Sequence, residues 1–73
     1  MRRMGAATAL TRAAIERLRI DGARFVLVEL PDDPALSPSR ALLERCGFGV
    51  EAQVRDFFRD GVDLLLLRRD LTG

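Results

Sequence analysis

Residues 62–71 read VDLLLLRRDL. Four consecutive leucines leave a strand with no polar face. Such a stretch needs apolar cover on both sides, which places it in the middle of a sheet. Asp60-Gly61, immediately before it, is a tight-turn pair between two strand-like runs, so this strand runs antiparallel to the one before it. The preceding run, Phe48 to Phe58, approximates alternation through Phe48, Val50, Ala52, Val54 and Phe57. A shift of register near Arg55-Asp56 predicts a bulge there.

The chain upstream follows the same rules. FVLVEL, residues 25–30, is short, partly β-branched and nearly all apolar, and it reads as a strand buried on both faces. Pro31 ends it. PDDPALSP, residues 31–38, is a loop with three prolines. Ser37 is the expected N-cap of the next helix, with Pro38 at its first position. That helix runs to about Cys46, with Ala41, Leu42, Leu43 and Cys46 on its apolar side, and Gly47 terminates it. From Ala7 to about Ile20 the spacing is also helical: Leu10, Ala14 and Leu18 form a stripe joined by Ala7, Ala13 and Ile15. Glu16 is within reach of Arg12 and Arg19. Asp21-Gly22 stops this helix.

The order is helix, strand, helix, strand, strand. The first two strands, joined through a helix, run the same way, and the leucine strand enters between them. The expected fold is a single α/β domain over residues 1–73, a mixed three-stranded sheet of spatial order 1-3-2 covered by helices. Seventy-three residues allow one such domain, which buries only about 60% of its unfolded surface.

Composition removes several function classes. A net charge of +1 lacks the basic stripe of a nucleic-acid binder. With no histidine and one cysteine, Cys46, zinc sites, His-based triads and a disulfide scaffold are all excluded, and no metal is expected. The longest apolar run is far short of a membrane span, and no signal-peptide core follows Arg2 and Arg3. A cytoplasmic protein with no membrane partner is the expectation. Cys46 reads as a small buried hydrophobe. Asp32-Asp33 reads as solvated turn chemistry, and Arg68-Arg69-Asp70 as gatekeeping charge at a strand end. Phe57-Phe58 puts one ring on each face of its strand, one of them in the core.

The beginning of the chain carries the candidate chemistry. In RRMGAATAL, residues 2–10, a turn of small residues runs into a helix and leaves backbone N–H groups unpaired. The helix dipole adds partial positive charge there, and such an end binds phosphate. Gly5 admits an anion close to the backbone, Ala6 and Ala7 keep the approach open, and Thr8 adds a hydroxyl.

This stretch resembles the R/Q-x-x-G-x-G/A motif of the GNAT N-acetyltransferase superfamily, with Arg2, Gly5 and Ala7 at the matching places. SRALLERCGF, residues 39–48, resembles that family's second signature, a helix ending in Gly-Phe. DFFRDGVDLLLLRRDL, residues 56–71, resembles its closing hairpin. The resemblance implies direct acetyl transfer from acetyl-CoA to an amine whose identity the chain does not disclose. It implies that the pyrophosphate lies on Arg2, Arg3, Met4, Gly5, Ala6, Ala7 and Thr8, with Ser39 and Arg40 within reach of the cofactor. The family's usual tyrosine, which protonates the leaving thiolate, falls on Leu43, which has no proton to give. The strands and helices that precede the motif in the family have no counterpart here. The chain thus looks like the C-terminal half of an acetyltransferase, with weak or no activity alone. A contrasting expectation is an interaction module or remnant that pairs through the open edge of FVLVEL. Its partner would be a second copy or the missing N-terminal half.

Overall fold

A computed structural model describes residues 3–72, with side chains from residue 5 onward. The elements are α1 (Arg3–Ile20), β1 (Phe25–Pro31), a 3₁₀ turn (Pro34–Leu36), α2 (Ser37–Arg45), β2 (Gly49–Arg59) and β3 (Val62–Asp70). The three strands form one sheet in the order β1-β3-β2. Both hydrogen-bonded pairs are antiparallel, so the two outer strands run the same way. The leucine run therefore sits in the middle, as its lack of a polar face demands.

Both helices end in the same device. At α1, the Gly22 amide donates to the Arg19 carbonyl (3.1 Å) and the Ala23 amide to that of Leu18 (2.9 Å). At α2, the Gly47 amide donates to the Glu44 carbonyl (3.0 Å) and the Phe48 amide to that of Leu43 (3.0 Å). These are Schellman pairs, and Gly22 and Gly47 hold the positive φ, +95° and +92°, that the pattern requires. The start of α2 differs from the sequence expectation. Ser37 is the first helical residue rather than the cap, because a 3₁₀ turn precedes it. The Asp33 carboxylate caps that turn, accepting from the Ala35 amide at 2.9 Å, so Asp33 is turn chemistry as expected.

The core lies between the helices and one face of the sheet. Ile15, Cys46, Phe48, Leu65 and Leu67 are buried together, with Val26, Val28, Leu30, Leu42 and Leu43 packed against them. Cys46 is indeed a buried hydrophobe. The other face is not covered. Along β1 burial alternates, with Phe25, Leu27 and Glu29 exposed, so FVLVEL is buried on one face rather than two. The reason is that both helices pack on the same side.

The stripe expected on α1 also changes. Leu10 is 73% and Leu18 42% exposed, and Ile15 is the buried residue. Small side chains at Ala7, Thr8 and Thr11 flank the side that faces the sheet. Glu16 pairs with Arg19, whereas Arg12 reaches past it to the Arg45 carbonyl at 3.2 Å.

The predicted bulge is present. The β2–β3 register slips between Val50 and Ala52 and again between Val54 and Arg59, with Asp56 at φ 55° in the second slip. Phe57 and Phe58 meet edge to face at 5.0 Å. Both are about half exposed, so neither ring enters the core: the bulge turns the pair toward solvent and toward each other.

Candidate functional site

The connection Asp21–Arg24 turns the chain back, so α1 runs against β1 and its N-terminus faces the end where β1 finishes. A short loop from that same end starts α2. The topology thus gathers three things at one end of the molecule: two helix N-termini and the C-terminal end of β1. Helix dipoles add there, and the first-turn amides have no acceptor inside their own helix.

Arg2 lies outside the described residues, as do the side chains of Arg3 and Met4. Gly5 lies in the first described turn of α1 (Arg3–Ile20). From Ala7 onward each amide donates back along the helix. Ala7 and Thr8 can therefore keep the approach clear but cannot offer bare amides. Gly5 is exposed, and a Cβ built there would meet nothing within 4 Å. No acidic residue stands in the first turn of α1 to compete for an anion. Open space at Gly5 and the small side chains of Ala6 and Ala7 leave room for an anion there. Thr8 is half-buried and already engaged within the chain.

At the same end a cleft of about 120 Å³ is lined by residues that include Leu30, Asp32, Ser37 and Arg40. Arg40 is held there by Glu44 at 3.4 Å and Asp32 at 3.8 Å. Ser39 is exposed, and Ser37 takes the lining position instead. Leu43 packs against the core, so this side chain serves packing. Sequence periodicity did not reveal the cleft, because its walls meet only when β1, the loop and α2 fold together.

The larger concavity, about 460 Å³, lies elsewhere. Arg12, Glu16, Arg19, Arg45 and Arg69 line it, about 16 Å along α1 from Gly5 at 1.5 Å per residue. Its arginines have local work. Arg69 donates to the Cys46 carbonyl at 2.9 Å and Arg12 to that of Arg45, which satisfies the carbonyl end of α2. The Arg19 guanidinium, hydrogen-bonded to Glu16, holds that carboxyl below its ordinary range. This concavity is the carbonyl end of the helices, where the dipoles disfavour anions.

Asp63 is the other site of dense polar contact. Its carboxylate accepts from the Asp56 amide (3.0 Å) and the Gln53 side chain (2.7 Å). The backbone donor first, then the amide side chain, holds it below the ordinary carboxylate range. No group of His, Cys, Asp and Glu that could hold a metal occurs among the described residues. No helix among them is long and apolar enough to cross a membrane.

No protein-family model matches the chain, and no curated protein matches it. Solved structures do. A chain described as a candidate acetyltransferase of the GNAT family, from Desulfovibrio desulfuricans, superposes with a TM-score of 0.88 at 29% identity over 93% of this chain. The protein smu.2055 from Streptococcus mutans UA159 superposes with a TM-score of 0.82 at 23% identity over 97% of this chain, a likeness of fold alone. The chain spans 43% of the first neighbour and 45% of the second. Its two helices and its 1-3-2 sheet are therefore a partial GNAT acetyltransferase domain in fold.

Proposed function

We propose that this chain is the acetyl-CoA-binding portion of a GNAT-type N-acetyltransferase, the C-terminal half of that domain, acting in the cytoplasm. The first turn of α1 around Gly5 takes the pyrophosphate, with Arg2 and Arg3 as counter-charges. Arg40, in the cleft at the end of β1, is the second contact. Acetyl-CoA supplies the acyl group and an amine accepts it. With leucine at position 43, any proton for the leaving thiolate comes from elsewhere. The chain alone turns over weakly or not at all, since it spans less than half of its structural neighbours. The observation that carries this reading is the superposition on the Desulfovibrio neighbour at a TM-score of 0.88, with an unobstructed Gly5 at the helix start.

Titration calorimetry with CoA on the chain and on Gly5→Glu tests it. A carboxylate in the first turn suits the helix dipole, so the melting temperature should hold or rise. The same carboxylate repels a diphosphate, so affinity should fall about tenfold or more. Equal affinity for both proteins would refute the assignment of the helix start. Substantial turnover of acetyl-CoA with a panel of amines would refute the claim of weak activity.

A second reading rests on β1, which pairs with β3 on one side only. Its other edge is free to extend the sheet, as in a module that recruits another chain by strand addition. Protection of β1 amides from exchange on raising concentration would favour it.

A further inference from the structure

The concavity between the last turns of α1 and α2 carries more positive charge than the capping of those turns requires. Arg12, Arg19, Arg45 and Arg69 line it, against one acid, Glu16. Four guanidiniums against one carboxylate give +3, in a chain whose net charge is +1. The rest of the molecule is therefore net acidic, and the positive excess is local. Ile15 and Cys46, both buried, supply the apolar part of the lining.

The backbone fixes two of these guanidiniums. Arg12 Nη2 donates to the Arg45 carbonyl at 3.2 Å, and Arg69 Nη1 to the next carbonyl, that of Cys46, at 2.9 Å. Consecutive carbonyls thus hold two like charges at one helix end, an arrangement that costs free energy unless a counter-charge is near. Each guanidinium uses one of its five N–H donors for that bond. Arg19 is matched within the chain, its Nε donating to Glu16 at 3.0 Å. The Arg45 side chain is exposed and makes no hydrogen bond or ion pair among the described residues. Capping therefore accounts for one donor each of Arg12 and Arg69, and for nothing of Arg45.

The helix dipoles do not cancel this excess. Each helix end contributes about half a negative charge, so two ends set roughly one against the +3 of the side chains. The Arg45 and Cys46 carbonyls are in any case already hydrogen-bonded. The volume, about 460 Å³, falls within the roughly 300–1,000 Å³ of small-molecule sites. Guanidinium forks match the paired oxygens of carboxylates and phosphates. We propose that this concavity binds a small polyanion, a molecule carrying two or more carboxylate or phosphate groups. Arg45 is its principal ligand, and Arg12 and Arg69 contribute their remaining donors. Glu16 is the one side chain of the lining that opposes it. The site is separate from the helix start at Gly5 and does not depend on the acetyl-CoA reading.

Chemical-shift titration of the ¹⁵N-labelled full chain with inorganic pyrophosphate, and separately with citrate, tests this. Saturable shifts are expected at the Cys46 and Gly47 amides and at the Nε–H signals of Arg12, Arg45 and Arg69. Arg45→Gln should weaken binding by about tenfold, as loss of a charge-assisted hydrogen bond does. Arg17→Gln removes the same charge from α1 outside the concavity, where Arg17 pairs with Asp21, and should change affinity by less than about twofold. Glu16→Gln removes the opposing carboxylate and should tighten binding. All three positions are exposed, so far-UV circular dichroism should match that of the parent chain. Gly5→Glu should leave these shifts and their midpoint unchanged, which separates this site from the one proposed at the helix start. A response to either probe supports the site: pyrophosphate alone assigns phosphate groups to the ligand, citrate alone carboxylates. Absence of saturable shifts at Cys46 and Gly47 with both probes would overturn the proposal. So would shifts confined to residues 5–8, or equal weakening by Arg45→Gln and Arg17→Gln.

Discussion

The Asp56 amide donates to the Asp63 carboxylate at 3.0 Å, across the hairpin and into the widest part of the β2 bulge. The Asp56 side chain in turn accepts from the Gly61 amide at 2.9 Å. Two carboxylates therefore occupy the donors that the bulge would otherwise leave unpaired. The adjacent backbone conformation, φ 55° at Asp56, is one that aspartate tolerates better than most residues.

This network has a pH signature. The folded chain holds Asp63 below its ordinary range, while the unfolded value is about 3.9. The folded state thus binds this proton less readily. Asp63 contributes stability above the unfolded value, and that contribution disappears as pH falls through the lower folded value. Glu16, also lowered, acts with the same sign. Thermal melts of the chain and of Asp63→Asn should differ by a few degrees at pH 7. The difference should begin to shrink below about pH 4 and be lost only below the folded value. A difference undiminished at pH 2 would remove the carboxylate from the account.

Gly47→Ala should be destabilising by roughly 1–3 kcal/mol. Its φ is +92°, and a Cβ there would meet Arg69 Nε at 3.2 Å. That is the guanidinium that donates to the Cys46 carbonyl. Gly22→Ala shares the positive φ but opens into free space, so urea denaturation should rank it as the milder of the two.

Leu67→Ala should remove a large share of the chain's stability. Leu67 has no exposed surface, and truncating such a leucine costs about 2–5 kcal/mol. A domain of this length has roughly 4–11 kcal/mol in total. A lowered urea midpoint is the readout; an unchanged midpoint would place the core elsewhere.

Leu43→Tyr, which installs the tyrosine of the family the chain resembles, should lower stability by about 1–3 kcal/mol without conferring turnover. Leu43 packs against the core cluster, so a phenol there crowds the interior. Urea midpoints and acetyl-CoA consumption, measured side by side, check both halves of this expectation.

Much of the fold could be read from local chemistry. Gly22 and Gly47 end helices because left-handed caps suit a residue without a Cβ. The strand order follows from Asp60-Gly61 and the leucine run: a hairpin makes neighbours, and a strand with no polar face needs a neighbour on each side. The Arg55-Asp56 break in alternation marked the bulge. Other features were beyond any local pattern. Leu10, Ala14 and Leu18 have helical spacing, yet Ile15 is the buried residue, because periodicity gives a period and not the direction the sheet lies in. The Asp63 clamp joins positions seven or more residues apart through a bulge whose geometry no propensity encodes.

The candidate site divides the same way. The glycine in the first turn of α1 and the arginine at the start of α2 were visible as residues. Leu43 was already legible on the apolar side of its helix, whereas Arg40 in a cleft with Asp32 emerged only from packing. The sequence by itself determined the elements, their order and their ends, because caps, turns and strand hydrophobicity act over a few residues. Only the tertiary structure decided which face of α1 is buried, which side of the sheet stays bare, and which end collects the helix N-termini. Those depend on where distant segments meet, and the free energy that settles them belongs to contacts between elements rather than to any one of them.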